Sequence, residues 1–328
     1  MVTASRVDLG EWDAQAAALG GGYYHCHAQA VCDATRTGND PLFVKALDES
    51  GACVGLVTGT MSGPGVWPFS RYCGSATLYG LPATADGSAE AGRAFMAAME
   101  RALRREGAQA VTVLGYDSPD GEAILGGLGY ALSPRTEFYV DLARSEEEMW
   151  SGLKGERRTD IRKARKLGVE TRLENTGEAL DLVFNFYDES MRRHGIDLGE
   201  TREDTARARR ERLGGGRIDV FVSYREGEPV NGAIFGNFNG KPYYLVSGSS
   251  PAGYKCCGPA HLLWTAMTTY RERGARYLNL GAALEDQVSL YRFKRDFGGT
   301  AVAQPMGRKR LSAFGACLNR AVGLLRGR

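Results

Sequence analysis

The chain has 328 residues, of which 43% are hydrophobic and 24% charged, with a formal net charge of +2. A length of this order predicts two cores rather than one, and the composition is that of a globular protein. The small net charge excludes a whole-molecule field for nucleic acid, and with it stable DNA binding; any such contact must come from local clusters.

Near the start, Asp8, Glu11 and Asp13 are wrong for a signal peptide. No run of 18 apolar residues follows anywhere, so no membrane span is expected. The stretch YHCHAQAVC at 24–32 places His25 and His27 on one face if extended, beside Cys32. A fourth ligand is missing, so no metal is expected there. The seven cysteines are odd in number and scattered, with no CxxC pair, which fits free thiols in a reducing cytoplasm.

Residues 42–60, LFVKALDESGACVGLVTGT, read as strand, polar turn, strand. AGRAFMAAMERALRRE then puts Phe95, Met99 and Leu103 at helical spacing and stops at Gly107. The short strand AVTVLG and the segment AILGGLGY close this half. The second half repeats the order. VFVSYREGEPVNGAIFGNF at 220–238 is strand, turn, strand, and Asn239-Gly240 signals a hairpin into KPYYLVSGSS. PAHLLWTAMTTYRER aligns Leu263, Met267 and Tyr270 and stops at Gly274; RYLNLGA and SLYRFKRDFGG follow. Matched elements in one order predict a duplication, with domains 1–144 and 145–328 joined near Arg144.

The join leads into a basic run that contains Arg157, Arg158, Arg162, Lys163, Arg165 and Lys166, diluted by acids at 156, 160 and 170. Such a run is either a solvated face or a phosphate-binding surface. Lys255-Cys-Cys-Gly258-Pro-Ala260 opens a helix with Gly and Pro, a candidate phosphate loop. In LYRFKRDFGG, residues 290–299, Leu290, Phe293 and Phe297 form an apolar stripe, which would leave Lys294 on the solvated side. The basic tail beyond Phe297, with Arg308, Lys309, Arg310 and apolar Leu311, Phe314 and Leu318, suits packing, tRNA phosphates or a membrane surface. No Ser/His/Asp order, P-loop or dinucleotide fingerprint is visible.

The element order resembles the GNAT acyltransferase fold, which implies an α+β chain of two tandem GNAT-like domains, each a mixed, mostly antiparallel sheet flanked by helices. RRTDIRKARKLGV at 157–169, FYDESMRRHGI at 186–196 and GARYLNLGAA…LYRFKRDFGG at 274–299 resemble the Fem-type aminoacyl-tRNA-dependent transferases. That resemblance implies amide formation between an amino acid carried on tRNA and an acceptor amine, on a peptidoglycan precursor or a small molecule, with no cofactor. It implies that Phe293-Lys294 is the Phe-Lys of the site, with Lys294 over the ester, and that a Tyr from the 243–244 strand faces it. Tyr243 and Tyr244 point to opposite faces of a strand, so only one serves. Arg193 is implied near acceptor phosphates, and Arg162, Lys163 and Arg165 beside the tRNA or acceptor groove. Tyr291 falls where acyl-CoA members place a phenol acid, and its first-half counterpart is Leu125. Together with the Lys255–Ala260 loop, Tyr291 supports an acyl-CoA N-acyltransferase as the alternative. A silent groove-binding protein is a third reading.

Overall fold

In the computed structural model, residues 1–4, 7–63, 74–193, 195, 213–283 and 287–312 are described. Cys73, His194, Cys317, Phe314, Leu318 and the tail arginines beyond Arg310 lie outside them.

The chain forms two units: Met1–Arg135 with the segment from Ala303 onward, and Thr136–Val302. The first contains β1 (Val2–Ala4), α1 (Leu9–Ala18), α2 (His27–Thr37), β2 (Asp40–Leu47), β3 (Cys53–Ser62), β4 (Gly74–Tyr79), β5 (Ala83–Thr84), α3 (Ala89–Arg105), β6 (Ala108–Leu114), α4 (Gly121–Leu125) and β7 (Ala131–Ser133). The second contains β8 (Thr136–Asp141), α5 (Glu146–Gly152), α6 (Gly155–Lys166), β9 (Glu170–Leu173), α7 (Gly177–Arg193), β10 (Ile218–Arg225), β11 (Glu228–Phe238), β12 (Lys241–Ser249), α8 (Pro251–Lys255), α9 (Gly258–Glu272), β13 (Tyr277–Ala282), α10 (Val288–Asp296) and β14 (Thr300–Ala303), whose last residue already counts with the first unit. β15 (Met306–Arg310) returns to the first unit.

The two sheets run β1-β2-β3-β4-β6-β15-β7 and β14-β8-β13-β12-β11-β10-β9. β4 pairs parallel with β6 in the first sheet, and β12 with β13 in the second. The repeated order expected from sequence is present in both units. The expected single boundary near Arg144 is replaced by two crossings. Residues 136–144 already belong to the second unit, because β8 pairs with β13 from Tyr277↔Asp141 to Ala282↔Glu137. Likewise β15 pairs with β6 from Gly307↔Val113 to Arg310↔Ala110. Arg308, Lys309 and Arg310 are therefore strand residues and not part of a free tail; Lys309 Nζ meets the buried Glu100 at 2.6 Å.

The periodic helices pack as their spacing predicts. Phe95, Met99 and Leu103 of α3 are buried in the first core, and Leu263, Met267 and Tyr270 of α9 in the second. Gly107 and Gly274, at φ +87 and +83, end these helices in the left-handed region where a Cβ is costly. Asn239 and Gly240 have positive φ, as a tight hairpin turn requires. At 24–32 the chain is a 3-10 turn and then α2, not the extended segment that would put two histidines on one face. His25 Nδ1 accepts from the Gly22 N–H at 3.2 Å, its Nε2 donates to Leu81 O at 2.8 Å, and His27 stacks on Phe43.

Candidate active site

The parallel pairs differ between the units. β4 and β6 stay in register from Ser75↔Ala110 to Tyr79↔Leu114, after a shift at Gly74↔Ala108. Beyond them Leu81 N–H donates to Ser118 Oγ at 3.0 Å, and the Ser118 N–H donates to the fully buried Gln304 side chain. The first unit is thus laced shut where its central strands end. In the second unit the only registered β12–β13 pair is Tyr243↔Asn279, after which the strands run on without pairing to each other. β12 also carries an irregularity beside Tyr244, where Ile234↔Val246 follows Phe235↔Tyr244. The registered ladder between β12 and β13 is thus confined to that one pair.

Lys294 lies close to this pair. It is only 5% exposed, and its Nζ donates to Ala282 O at 2.6 Å, at the end of β13. The inward face of α10 is therefore Tyr291, Lys294 and Phe297, and the expected Leu290–Phe293–Phe297 stripe is corrected: Leu290 is 39% exposed. The i, i+3 spacing suited both faces, and the cation rather than Leu290 was turned inward. Phe293 is half-buried, 4.9 Å from the Phe297 ring, with the Arg157 guanidinium 5.9 Å from its centroid. Tyr291 meets Phe138 edge-on at 4.8 Å. Both aromatics pack the wall that holds Lys294.

Gly281 sits beside this lysine. Its φ is +71, and a methyl group placed on it would crowd Tyr244 O at 3.1 Å and touch Tyr243 Cε1 at 3.5 Å and Lys294 Nζ at 3.7 Å. The Asn279 side chain accepts from the Gly281 N–H at 2.7 Å and fixes that turn.

The paired tyrosines have different surroundings. Tyr243 is buried and its hydroxyl donates to Glu137. Tyr244 stacks on Phe235 at 4.9 Å, and burial pushes its phenol up to about 12. Glu137 was not anticipated. It is 0% exposed and also accepts from Asn279 Nδ2 at 2.8 Å and Tyr139 OH at 3.4 Å. A lone acid inside the apolar strand TEFYVD was the available clue.

The other expected residues are dispersed. Arg193 spends its guanidinium on Ser249 O at 2.8 Å, Ser190 Oγ at 3.0 Å and Glu189 at 3.6 Å. The basic run divides in two. Arg157 pairs with Glu156 and Asp160, and Arg158 Nη1 caps α5 through Ser151 O at 2.9 Å. Arg162, Lys163 and Arg165 are exposed on α6, with Arg162 and Arg165 at 5.3 and 5.8 Å from the Trp150 ring centroid. In the candidate phosphate loop Lys255 is exposed while Gly258 and Ala260 are buried. Asp160 stands 3.6 Å from Cys257 Sγ at the start of α9, where burial and that carboxylate raise the thiol pKa. A carboxylate there already complements the helix dipole.

The fold is a tandem of two GNAT-like units, and the second carries Lys294. Residues 154–295 match a family model described as an acetyltransferase (GNAT) domain. Among solved structures, the chain is similar to FemX, at 15% identity and TM-score 0.72, over 99% of each chain. It is also similar to the C-terminal domain of a putative lysylphosphatidylglycerol synthetase from Agrobacterium fabrum, at 16% identity and TM-score 0.59, over 97% of this chain and 98% of that one. L-PGS from Bacillus licheniformis shares 13% identity at TM-score 0.58, over 98% and 97%. No curated protein matches by sequence. The resemblance to Fem-type enzymes thus holds in the fold of the whole chain.

Proposed function

We propose that the protein is an aminoacyl-tRNA-dependent transferase that joins an amino acid to an acceptor amine. The observation that carries this reading is a buried ammonium, Lys294, held against Ala282 O where β12 and β13 part. The corresponding helix of the first unit, Gly121–Leu125, carries no cation. In the reaction the acceptor nitrogen attacks the ester carbonyl, a C–N bond forms, and the carbonyl oxygen becomes an oxyanion. Lys294 supplies fixed positive charge to that oxygen. The ester C–O bond then breaks, tRNA leaves with its hydroxyl, and the nitrogen gives up a proton. The ester is already activated, so no further cofactor is required.

Exposed Arg162, Lys163 and Arg165 on α6 are suited to tRNA phosphates. The acceptor is a peptidoglycan-precursor amine or a small amine. The reaction is placed in the cytoplasm, where charged tRNA is found. Five cysteines among the described residues are free; none of the helices there is long and apolar enough to cross a membrane. Membrane-surface contact by the basic tail concerns residues outside those described.

The second reading is an acyl-CoA N-acyltransferase, favoured by the acetyltransferase family match and by the Lys255–Ala260 loop. One experiment separates the two: transfer from a pool of charged tRNAs to candidate amines, with RNase and with acetyl-CoA. Loss of transfer on RNase treatment, unrestored by acetyl-CoA, supports the first reading. Activity that survives RNase and follows acetyl-CoA assigns the donor site to the Lys255–Ala260 loop and removes it.

A further inference from the structure

The surroundings of Lys294 contain a buried carboxyl group that the oxyanion chemistry does not use. Glu137 comes from β8 and is 0% exposed, yet three donors converge on it. Tyr243 OH donates to Oε1, while Asn279 Nδ2 and Tyr139 OH donate to Oε2 at 2.8 and 3.4 Å. In each of these three bonds the Glu137 carboxyl is the acceptor. Tyr243 and Asn279 are also the one registered pair between β12 and β13. Glu137 therefore bridges the two strands at the point where they part.

Burying such a group is costly, and a well-packed apolar residue often stabilises at least as well. Its consequence lies in polarity. The phenol has one proton, and Glu137 takes it. Whatever else meets the Tyr243 oxygen must therefore be a donor. The same tyrosine ring borders Gly281 together with Lys294 Nζ, so the oxygen belongs to the reacting region. We infer that Glu137 is a positioning residue that fixes Tyr243 as a hydrogen-bond acceptor and so builds a receptor for a substrate amino group. The inference rests on the aminoacyl reading. An aminoacyl ester and an acceptor amine both carry N–H, whereas an acetyl group has none, so this polarity would select for amino groups on the donor or the acceptor.

Binding of two small probes to the full chain tests this without any transfer step. Alaninamide carries an ammonium, and lactamide carries a hydroxyl in its place. The wild type should bind alaninamide at least about tenfold more tightly than lactamide, with the preference within about twofold in Glu137→Gln and Tyr243→Phe. A glutamine can donate back to the phenol and reverse its polarity, and Phe removes the oxygen while keeping the ring. Equal binding by the wild type, or a preference unchanged in both variants, overturns the inference. If Glu137→Gln does not fold, Tyr243→Phe decides alone. Competition with a non-hydrolysable amide analogue of 3′-alanyl-adenosine then separates the sources: displacement assigns the receptor to the donor, and simultaneous binding to the acceptor. An alaninamide preference without transfer from any charged tRNA would keep the receptor and sink the tRNA reading. Transfer without the preference would do the reverse.

Discussion

The ammonium of Lys294 lies 2.6 Å from the carbonyl oxygen of Ala282, which is in turn the strand partner of Glu137. The cation is thus tied to the backbone at the end of β13. Replacing it by Met keeps most of the stem and removes the charge. Loss of an oxyanion partner costs on the order of 3 kcal/mol, so turnover in Lys294→Met should fall about a hundredfold or more. Because Lys294 is buried rather than solvated, stability should also respond, by about 1 kcal/mol for the missing hydrogen bond. Steady-state kinetics and a denaturant melt check both. Turnover within about threefold of wild type would reduce Lys294 to a packing residue.

Asp219 holds a second buried polar knot, apart from the chemistry assigned to Lys294. It accepts from Tyr270 OH at 3.0 Å, Arg273 at 2.9 Å, and Asn237 and Asn175 at 2.8 and 3.2 Å. Asp219→Ala leaves the buried Tyr270 hydroxyl without this acceptor and should destabilise by about 3 kcal/mol. A denaturant melt should show the shift, while Asp219→Asn should lose less. An unchanged midpoint for Asp219→Ala would mean that the knot contributes nothing.

Acid sensitivity should trace to His261. Its pKa is lowered below the ordinary 6.5 by burial and then by Arg165, and Nδ1 lies 2.8 Å from Thr171 Oγ1. The unfolded imidazole takes up a proton near 6.5 while the folded one resists until lower pH. The unfolded state therefore binds more protons in that window, and stability falls as pH drops through it. Melts from about pH 7.5 to about pH 5 should show the loss in wild type and a shallower slope in His261→Gln. Identical slopes would place the acid sensitivity elsewhere.

The exposed face of α6 is tested by salt. Changing Arg162, Lys163 and Arg165 to Ala should weaken tRNA binding. The slope of log K against log salt should become shallower by about one for each phosphate that is no longer neutralised. Filter binding across a salt series measures it. A folded triple variant with the parental slope would leave α6 as a solvated surface.

Much of this was legible in the chain. Strand pairs closed by a local turn, such as 220–249 with its Asn239-Gly240 corner, and helices with strong periodicity, such as 91–106, carry their structure in neighbouring residues. β8 and β15 do not. Each is a short alternating segment whose partner lies more than a hundred residues away, so sequence offered no register for it. Lys294 was legible as a residue to single out, but not as an inward one. Leu290 and Tyr291 are adjacent on the helix, and only packing against β13 decides which face turns in. Glu137 was missed because its three donors come from β8, β12 and β13, a meeting that no local pattern encodes.

The placement of β15 sets an order for the birth of the molecule. On the ribosome, β6 and β7 emerge long before the strand that separates them in the finished sheet. Until residue 310 clears the exit tunnel, the edge of β6 that β15 will pair has no β15 partner, and Gln304 cannot yet meet Ser118. The early part of the chain therefore forms a sheet that only a much later segment can complete. Through that interval the nascent chain carries an unpaired edge, the kind of template that invites misassembly.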